Sequence, residues 1–516
     1  MPGPSAPFGF ARPSPDTTDL DLAEPVSSGY NPGGRIVGFS QTHVSGTGGG
    51  SKYGNFILAP FTGSGRRLFD GSSKAREQAS AGRYAVDLTR YDIHAELTAT
   101  RLAAVHRYRF PRTEEAKVML DASSVIALLT PPNRQRPVRT VLCPAGRRGF
   151  DAKVSAVDGW LHPGRYTLHA AVRFDRPVRG ARRHCAAAGP GRHLRAVARF
   201  DARRRRVVRV KVGLSFIGGR KALRNLRREI PDWRFRSVRL AAEKRWRRVL
   251  SRLEVEGGTV EQRRMLATAL FHTHLMPHEL TGENAWWASG APHYEDYYGL
   301  WDTHKALHPL LLLLQPRRER DMINSLVETF EHTGWMPDTR IAGNNGLTQG
   351  GSNGDVLVAD AMQKHLRGVR YRTAYRALRK NAEVDSKRPL YQGRQVSQYK
   401  RRGYLSTDLP RSASRTVEYA HEDFGVYNVA RLLGKTRAAA RYRARAANWA
   451  NLWDPGAQSI RPRLPSGEFM PEFDRTHFYP DGATPAFDAP FYEGSGWQYS
   501  TYIPHDVEGV IQRVGR

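Results

Sequence analysis

Cysteine is almost missing from this sequence: Cys143 and Cys185 are the only two among 516 residues. Two thiols cannot build a disulfide framework or a four-ligand zinc site by themselves; one bridge between them is the most they can form. Long apolar runs are missing as well. Leu310–Leu314 falls far short of the roughly 20 apolar residues a membrane helix needs, so no membrane partner is expected. The opening Met1-Pro-Gly-Pro-Ser-Ala-Pro has neither a basic start nor an apolar stretch. It does not read as a signal peptide, and with Met1 as the true start the chain would be cytoplasmic.

Negative charge is scarce: 49 Asp and Glu stand against 81 Lys and Arg, a formal net charge of +32. Such an excess attracts phosphates without selecting a sequence. The basic residues are spread over all segments, and no zinc-finger, homeodomain or RNA-recognition pattern accompanies them. No specific nucleic-acid partner is therefore expected. The run Arg203–Arg206 reads as a solvated hairpin turn before a strand. At 40% hydrophobic and 25% charged residues, the chain is otherwise that of an ordinary globular protein with more than one domain.

What is present divides by period. Short, partly alternating runs bounded by turn residues fill the first part, among them Asn55–Ala59, Arg83–Leu88, Ile93–Leu97, Tyr166–Phe174 and Val207–Gly213. Regular strands of this kind predict an N-terminal β-sandwich over residues 1–217. From Ala222 apolar residues recur at helical spacing with Pro231 between them, predicting a pair of exposed linker helices over 218–257. Trp246 reads as core packing there. Thr259-Val-Glu-Gln262 fits a capping box, and helices are predicted around 303–314, 317–332, 354–366, 369–381, 414–433 and 436–451. Helix pairs joined by polar, Gly-rich loops over 258–516 suit an (α/α) barrel whose loop end carries the site.

Three stretches share one chemistry. Ala489–Ser500 places Glu493 between Tyr492 and Gly494, with Trp497 and Tyr499 following. Aromatic rings stack on the C–H face of a sugar, and apolar surroundings favour a protonated carboxyl. Tyr297–Pro309 sets Asp302 beside Trp301 before an apolar helix, and Ala342–Asp355 is a Gly/Asn/Gln loop, carrying Asn353 and Asp355, suited to hydrogen-bonding hydroxyls. Each has a plainer alternative: a packing turn around a solvated Glu493, and a helix N-cap at Asp302. The loop Ser45–Tyr53 lacks the ending of a phosphate cradle.

Together, Phe39–Gly50, Leu300–Thr303, Gly350–Asp355, Thr416–Ala420 and Tyr492–Tyr499 resemble, in the same order, the motifs of glycoside hydrolase family 92, the calcium-dependent exo-α-mannosidases. The resemblance implies a β-sandwich followed by an (α/α)6 barrel, inverting cleavage of α-mannosides of N-glycans or mannans, calcium, and export. Carried over by motif, Glu493 is the general acid, Asp302 binds mannose hydroxyls, and Trp301 and Trp497 wall the pocket. Asn353 and Asp355 face substrate, while His43, Gly48 and Tyr53 line the pocket from the sandwich; for His43 a satisfied strand histidine is the equal alternative. The family's Gly-Asn-Glu-Pro motif and the Asp-rich loop with the general base are not found here, nor is its earlier first strand, which predicts an incomplete barrel and impaired hydrolysis. A non-catalytic carbohydrate-binding remnant and a glycoside phosphorylase are the alternatives. Lys305 stands where the family usually has Arg, and it cannot make an arginine's bidentate contact.

Overall fold

The structure is a computed structural model that describes residues 2–18, 28–44, 52–127, 134–159, 164–180, 184–297, 299–479 and 489–515. The chain divides into two compact units, Met1–Asp296 with Ile341–Asn344, and Tyr297–Arg340 with Asn345–Arg516.

The first unit is built on two antiparallel sheets. One has five strands, in spatial order Ser14–Thr17, Ile36–Ser40, Ile57–Phe61, Ala116–Asp121 and Arg195–Phe200. The other has nine: Ala186–Ala188, Arg136–Pro144, Gly149–Val157, Arg165–Phe174, Val207–Ser215, Ala103–Arg109, Ile93–Ala99, Arg83–Leu88 and Lys74–Ser80. Alternation does its expected work. In Arg165–Phe174 the residues Tyr166, Leu168, Ala170, Val172 and Phe174 are all buried. Rings from the two inner faces meet: Phe39 lies 6.2 Å from Tyr108 and 6.3 Å from Tyr84, and Phe200 lies 5.2 Å from Phe174. This is the predicted sandwich. Cys143 and Cys185 are joined, tying the strand Arg136–Pro144 to the residue that opens the short edge strand. Arg203, Arg204 and Arg205 are exposed on a turn, as read from the sequence.

Helices α1 (Gly219–Glu229) and α2 (Phe235–Leu250) correct one expectation. They are not an exposed linker pair. Leu226, Ile230, Phe235 and Val238 form one buried cluster with Ala103 and Val105 of the nine-stranded sheet. Gly213 permits this: a Cβ there would stand 2.5 Å from the Leu226 Cβ, so only a bare backbone lets α1 lie flat on the sheet. Trp246 is buried and donates its indole N–H to the Ser5 carbonyl at 2.6 Å. Helix α3 (Val260–His272) opens with the predicted capping box, Thr259 and Gln262 bonding each other's backbone N–H.

The second unit is helical. The helix expected over 303–314 is broken into α4 (Leu300–Thr303) and α5 (Leu307–Leu314). Then follow α6 (Pro316–Thr333), α7 (Gly354–Gln363), α8 (Tyr371–Glu383), the unexpected short α9 (Ser397–Arg402), α10 (Ser412–Leu432), α11 (Thr436–Ala446), α12 (Gly496–Thr501) and α13 (Val507–Val514). Nearly every side chain of α10 from Ser412 to Ala430 is buried, and α7, α8 and α11 pack on it. A β-rich unit followed by a helical one is the order the sequence predicts.

Candidate active site

Trp301 and Asp302 sit on α4, whose N-cap is Gly299 rather than Asp302. Trp301 donates its indole N–H to Glu418 Oε1 at 2.6 Å, and Asp302 Oδ2 accepts from the Gln349 amide at 3.2 Å. The Lys305 ammonium lies 4.1 Å from the Trp301 ring centroid and 4.7 Å from that of Tyr502, so it contributes charge through ring faces. A side chain at Gly350 would stand 2.6 Å from Glu418 Cγ and 2.9 Å from Trp301 Cδ1. The Gly-rich loop is therefore what lets indole and carboxylate meet. Withdrawal of water pushes the Asp302 carboxyl above its ordinary value, against the Gln349 hydrogen bond and the Lys305 charge.

Beneath lie two carboxyls that sequence reasoning did not single out. Glu418, fully buried on α10, has its Oε2 without a hydrogen-bond partner among the described residues; burial pushes it to about 7, against the Lys305 charge and the Trp301 bond. Asp338 accepts from the Asn353 backbone at 2.9 Å and amide at 3.3 Å, and burial likewise pushes it to about 7, the negative charges of Glu418 and Asp302 adding to the shift. Glu418 lay inside the quoted Thr416–Ala420 stretch, a usable signal. Asp338 had none, because its partners are distant in sequence.

Glu493 is half-buried and adopts φ +44, a left-handed conformation that a non-glycine residue holds only where its surroundings impose it. On one side the Tyr492 ring packs edge-on to Trp301 at 5.6 Å, with the Arg411 guanidinium 4.0 Å from the Tyr492 ring centroid. On the other, Ser495 caps α12 through a capping box with Gln498. The Glu493 charge acts on both Arg411 and Tyr499, and Tyr499 donates to the Tyr492 carbonyl at 2.9 Å. The stretch that carries Glu493 thus meets the Trp301 indole through Tyr492.

Other expected positions differ. Asn353 and Asp355 are 0% exposed. Asn353 holds Asp338, while Asp355 is enclosed in a network in which Arg394 pairs with Asp355, with Glu422 at 2.8 Å and with Asp423 at 2.8 Å. Ser352 and Asn381 complete it, donating to Asp355 at 2.8 Å and 3.2 Å. Asp355 therefore does not face an opening: a first-turn aspartate after a Gly loop looks the same in sequence whether it points outward or into a helix bundle. Trp497 is 51% exposed and lies under Arg475, 4.2 Å from ring centroid to guanidinium, so it is no part of the Trp301–Tyr492 wall. In the β-rich unit His43 is enclosed, bonded to Ser40 Oγ at 2.9 Å and the Arg12 carbonyl at 2.8 Å, the satisfied strand histidine of the alternative. Tyr53, also enclosed, donates to Asp296 at 2.6 Å. His43 and Tyr53 pair as a bridge at the base of the glycine loop; Gly48 itself lies outside the described residues.

Residues 1–215 match the glycosyl hydrolase family 92 N-terminal domain and residues 221–516 the glycosyl hydrolase family 92 catalytic domain. The chain belongs to glycosyl hydrolase family 92. This family 92 glycosidase is 28% identical to an uncharacterized secreted glycosidase of Arthroderma benhamiae, covering all of this chain and 70% of that protein. It is also similar to the family GH92 α-mannosidase BT3965 of Bacteroides thetaiotaomicron solved with mannoimidazole, at 25% identity and a TM-score of 0.88, over all of this chain and 70% of that one. The inverting mannosidase BT2199 of the same organism shares the fold, with a TM-score of 0.86 at 24% identity over 99% and 69%.

Among the described residues of the family 92 chain, no three His, Cys, Asp or Glu stand together as metal ligands. The carboxylates Asp355, Glu422 and Asp423 gather around the Arg394 guanidinium, which they already hold. These three residues do not fit calcium, because a cation already occupies them.

Glu418 makes the helical unit of this glycosidase sensitive to pH. Its folded value near 7 lies above the ordinary 4.5, so its stabilising contribution is complete below about pH 4 and is lost as pH rises through 7. Glu418→Gln should therefore shift the difference in denaturant stability between pH 5 and pH 8 by about 2.5 kcal/mol in favour of pH 8, a contribution that the neutral, buried His304 and His421 oppose in the parent. An unchanged difference in the variant would refute the assignment.

Proposed function

We propose that this protein is an exo-acting α-mannosidase that releases mannose with inversion from α-mannosides of N-glycans or mannans. The observation that carries this reading is the packing of Tyr492, the residue before Glu493, edge-on to the Trp301 indole that precedes Asp302. Its carboxyl gives a proton to the glycosidic oxygen as the bond to C1 breaks. In an inverting reaction water attacks C1 from the opposite face, and its proton goes to a second carboxylate on that side, the general base. Trp301 and Tyr492 stack on the sugar's C–H face, while Asp302, oriented by Gln349, accepts from its hydroxyls. Mannoimidazole bound to a relative with 25% identity supports the substrate class.

The helical unit is read as part of an (α/α)6 barrel, and calcium enters this reading only through family resemblance. Export is supported by the Cys143–Cys185 bridge, a feature of oxidising compartments, and by a relative described as secreted. Proton NMR of an α-mannobioside incubated with purified protein tests the reaction. β-Mannose should appear first and α-mannose follow by mutarotation; α-mannose first, or no mannose, would sink the proposal.

A further inference from the structure

The β-rich unit carries a cavity of about 590 Å³ that the catalytic reading does not use, within the range of small-molecule sites. Trp286, Trp287, Phe216, Asn284, His169 and Arg165 line it. Its aromatic wall is preorganised. Asn284 Oδ1 accepts from the backbone N–H of Trp286 at 2.9 Å and of Trp287 at 3.2 Å, a local turn that fixes the tandem indoles. The Trp286 ring rests on Phe216 at 5.5 Å and on His293 at 5.7 Å, and Trp287 meets His293 edge-on at 5.5 Å. A Cβ on Gly343 would stand 1.8 Å from Trp286 Nε1, so bare backbone lies against that indole. Both tryptophans nevertheless stay only half-buried.

The polar groups beside this wall are mostly uncharged. The Asn284 side chain is a neutral amide. Burial, with the Lys153 charge adding to it, pushes the His169 imidazole down to about 4, so it stands neutral near pH 7 with one nitrogen to donate and one to accept. Arg165 is the one permanent cation among the lining residues, and it is exposed. Rigid indole faces next to neutral donors and acceptors match a sugar, whose ring has apolar C–H faces and a rim of hydroxyls. An anion would call for buried cations, and a purely apolar ligand would leave the His169 imidazole facing hydrocarbon.

We propose that this cavity is a second, non-catalytic binding site for a neutral saccharide of one or two hexose units, stacked on the Trp286–Trp287 pair. The proposal stands independently of the catalytic reading.

Calorimetric titration of the full chain with α-mannobiose, with mannoimidazole present in saturating amount, tests it. Saturable binding should persist under mannoimidazole and change little between low and high salt. It should weaken about tenfold or more in Trp287→Ala, in keeping with loss of a stacking face. Mannoside hydrolysis by that variant should be unchanged, whereas failure of the catalytic reading would leave the titration intact and remove only hydrolysis. Circular dichroism checks that Trp287→Ala is folded; if it is not, His169→Ala takes its place with the same expected weakening. Absent binding up to the solubility of the sugar, binding abolished by mannoimidazole, or binding unaffected in the folded variant would each overturn the proposal.

Discussion

Glu493→Gln should lower turnover of an unactivated α-mannoside by about 10²- to 10⁴-fold, the usual contribution of a positioned proton donor. Glutamine keeps the side-chain length and the backbone conformation at φ +44, so thermal stability should stay close to that of the parent protein. What glutamine cannot do is give a proton to the leaving oxygen. The effect should therefore depend on the leaving group. An aryl mannoside whose phenol departs readily without protonation should lose far less rate than a disaccharide. Equal losses on both substrates would show that Glu493 shapes the pocket and does not donate the proton.

Arg394→Met should destabilise the helical unit by about 3–5 kcal/mol, measured by denaturant unfolding near pH 7. Its guanidinium is 0% exposed and is shared among Asp355, Glu422 and Asp423; the variant would leave Asp355 and Glu422 buried without a counter-ion and Asp423 with Arg445 alone. Arg394→Lys should rescue little, since one ammonium cannot span three carboxylates as a planar fork can. Acid should repair part of the damage. Burial already pushes Asp355 to about 6 against the Arg394 charge, so removing that charge raises it further, and protonation below that range relieves the buried charge. A variant as stable as the parent near pH 7 would contradict this account.

Local signals were legible in the sequence; distant pairings were not. The Thr259 capping box, the alternating strands and the aromatic flanks of Asp302 and Glu493 are written in neighbouring residues, and the structure carries them. The apolar period of α1 and α2 was readable too, but not the sheet that Leu226 and Phe235 cover. Arg394 reads as one more basic residue in an arginine-rich chain until its three carboxylates gather around it from α7 and α10. Glu418 and Asp338 likewise acquire their character only from depth, a property of the fold. Trp497 misled for a simpler reason. As the second residue of a capped helix it projects outward, while Tyr499, two positions on, takes the interior place.

The bridge between His43 and Tyr53 ties two enclosed side chains into one unit. His43 is held by Ser40 and the Arg12 carbonyl, and Tyr53 by Asp296, so a substitution at either position would be felt at the other through the backbone they share.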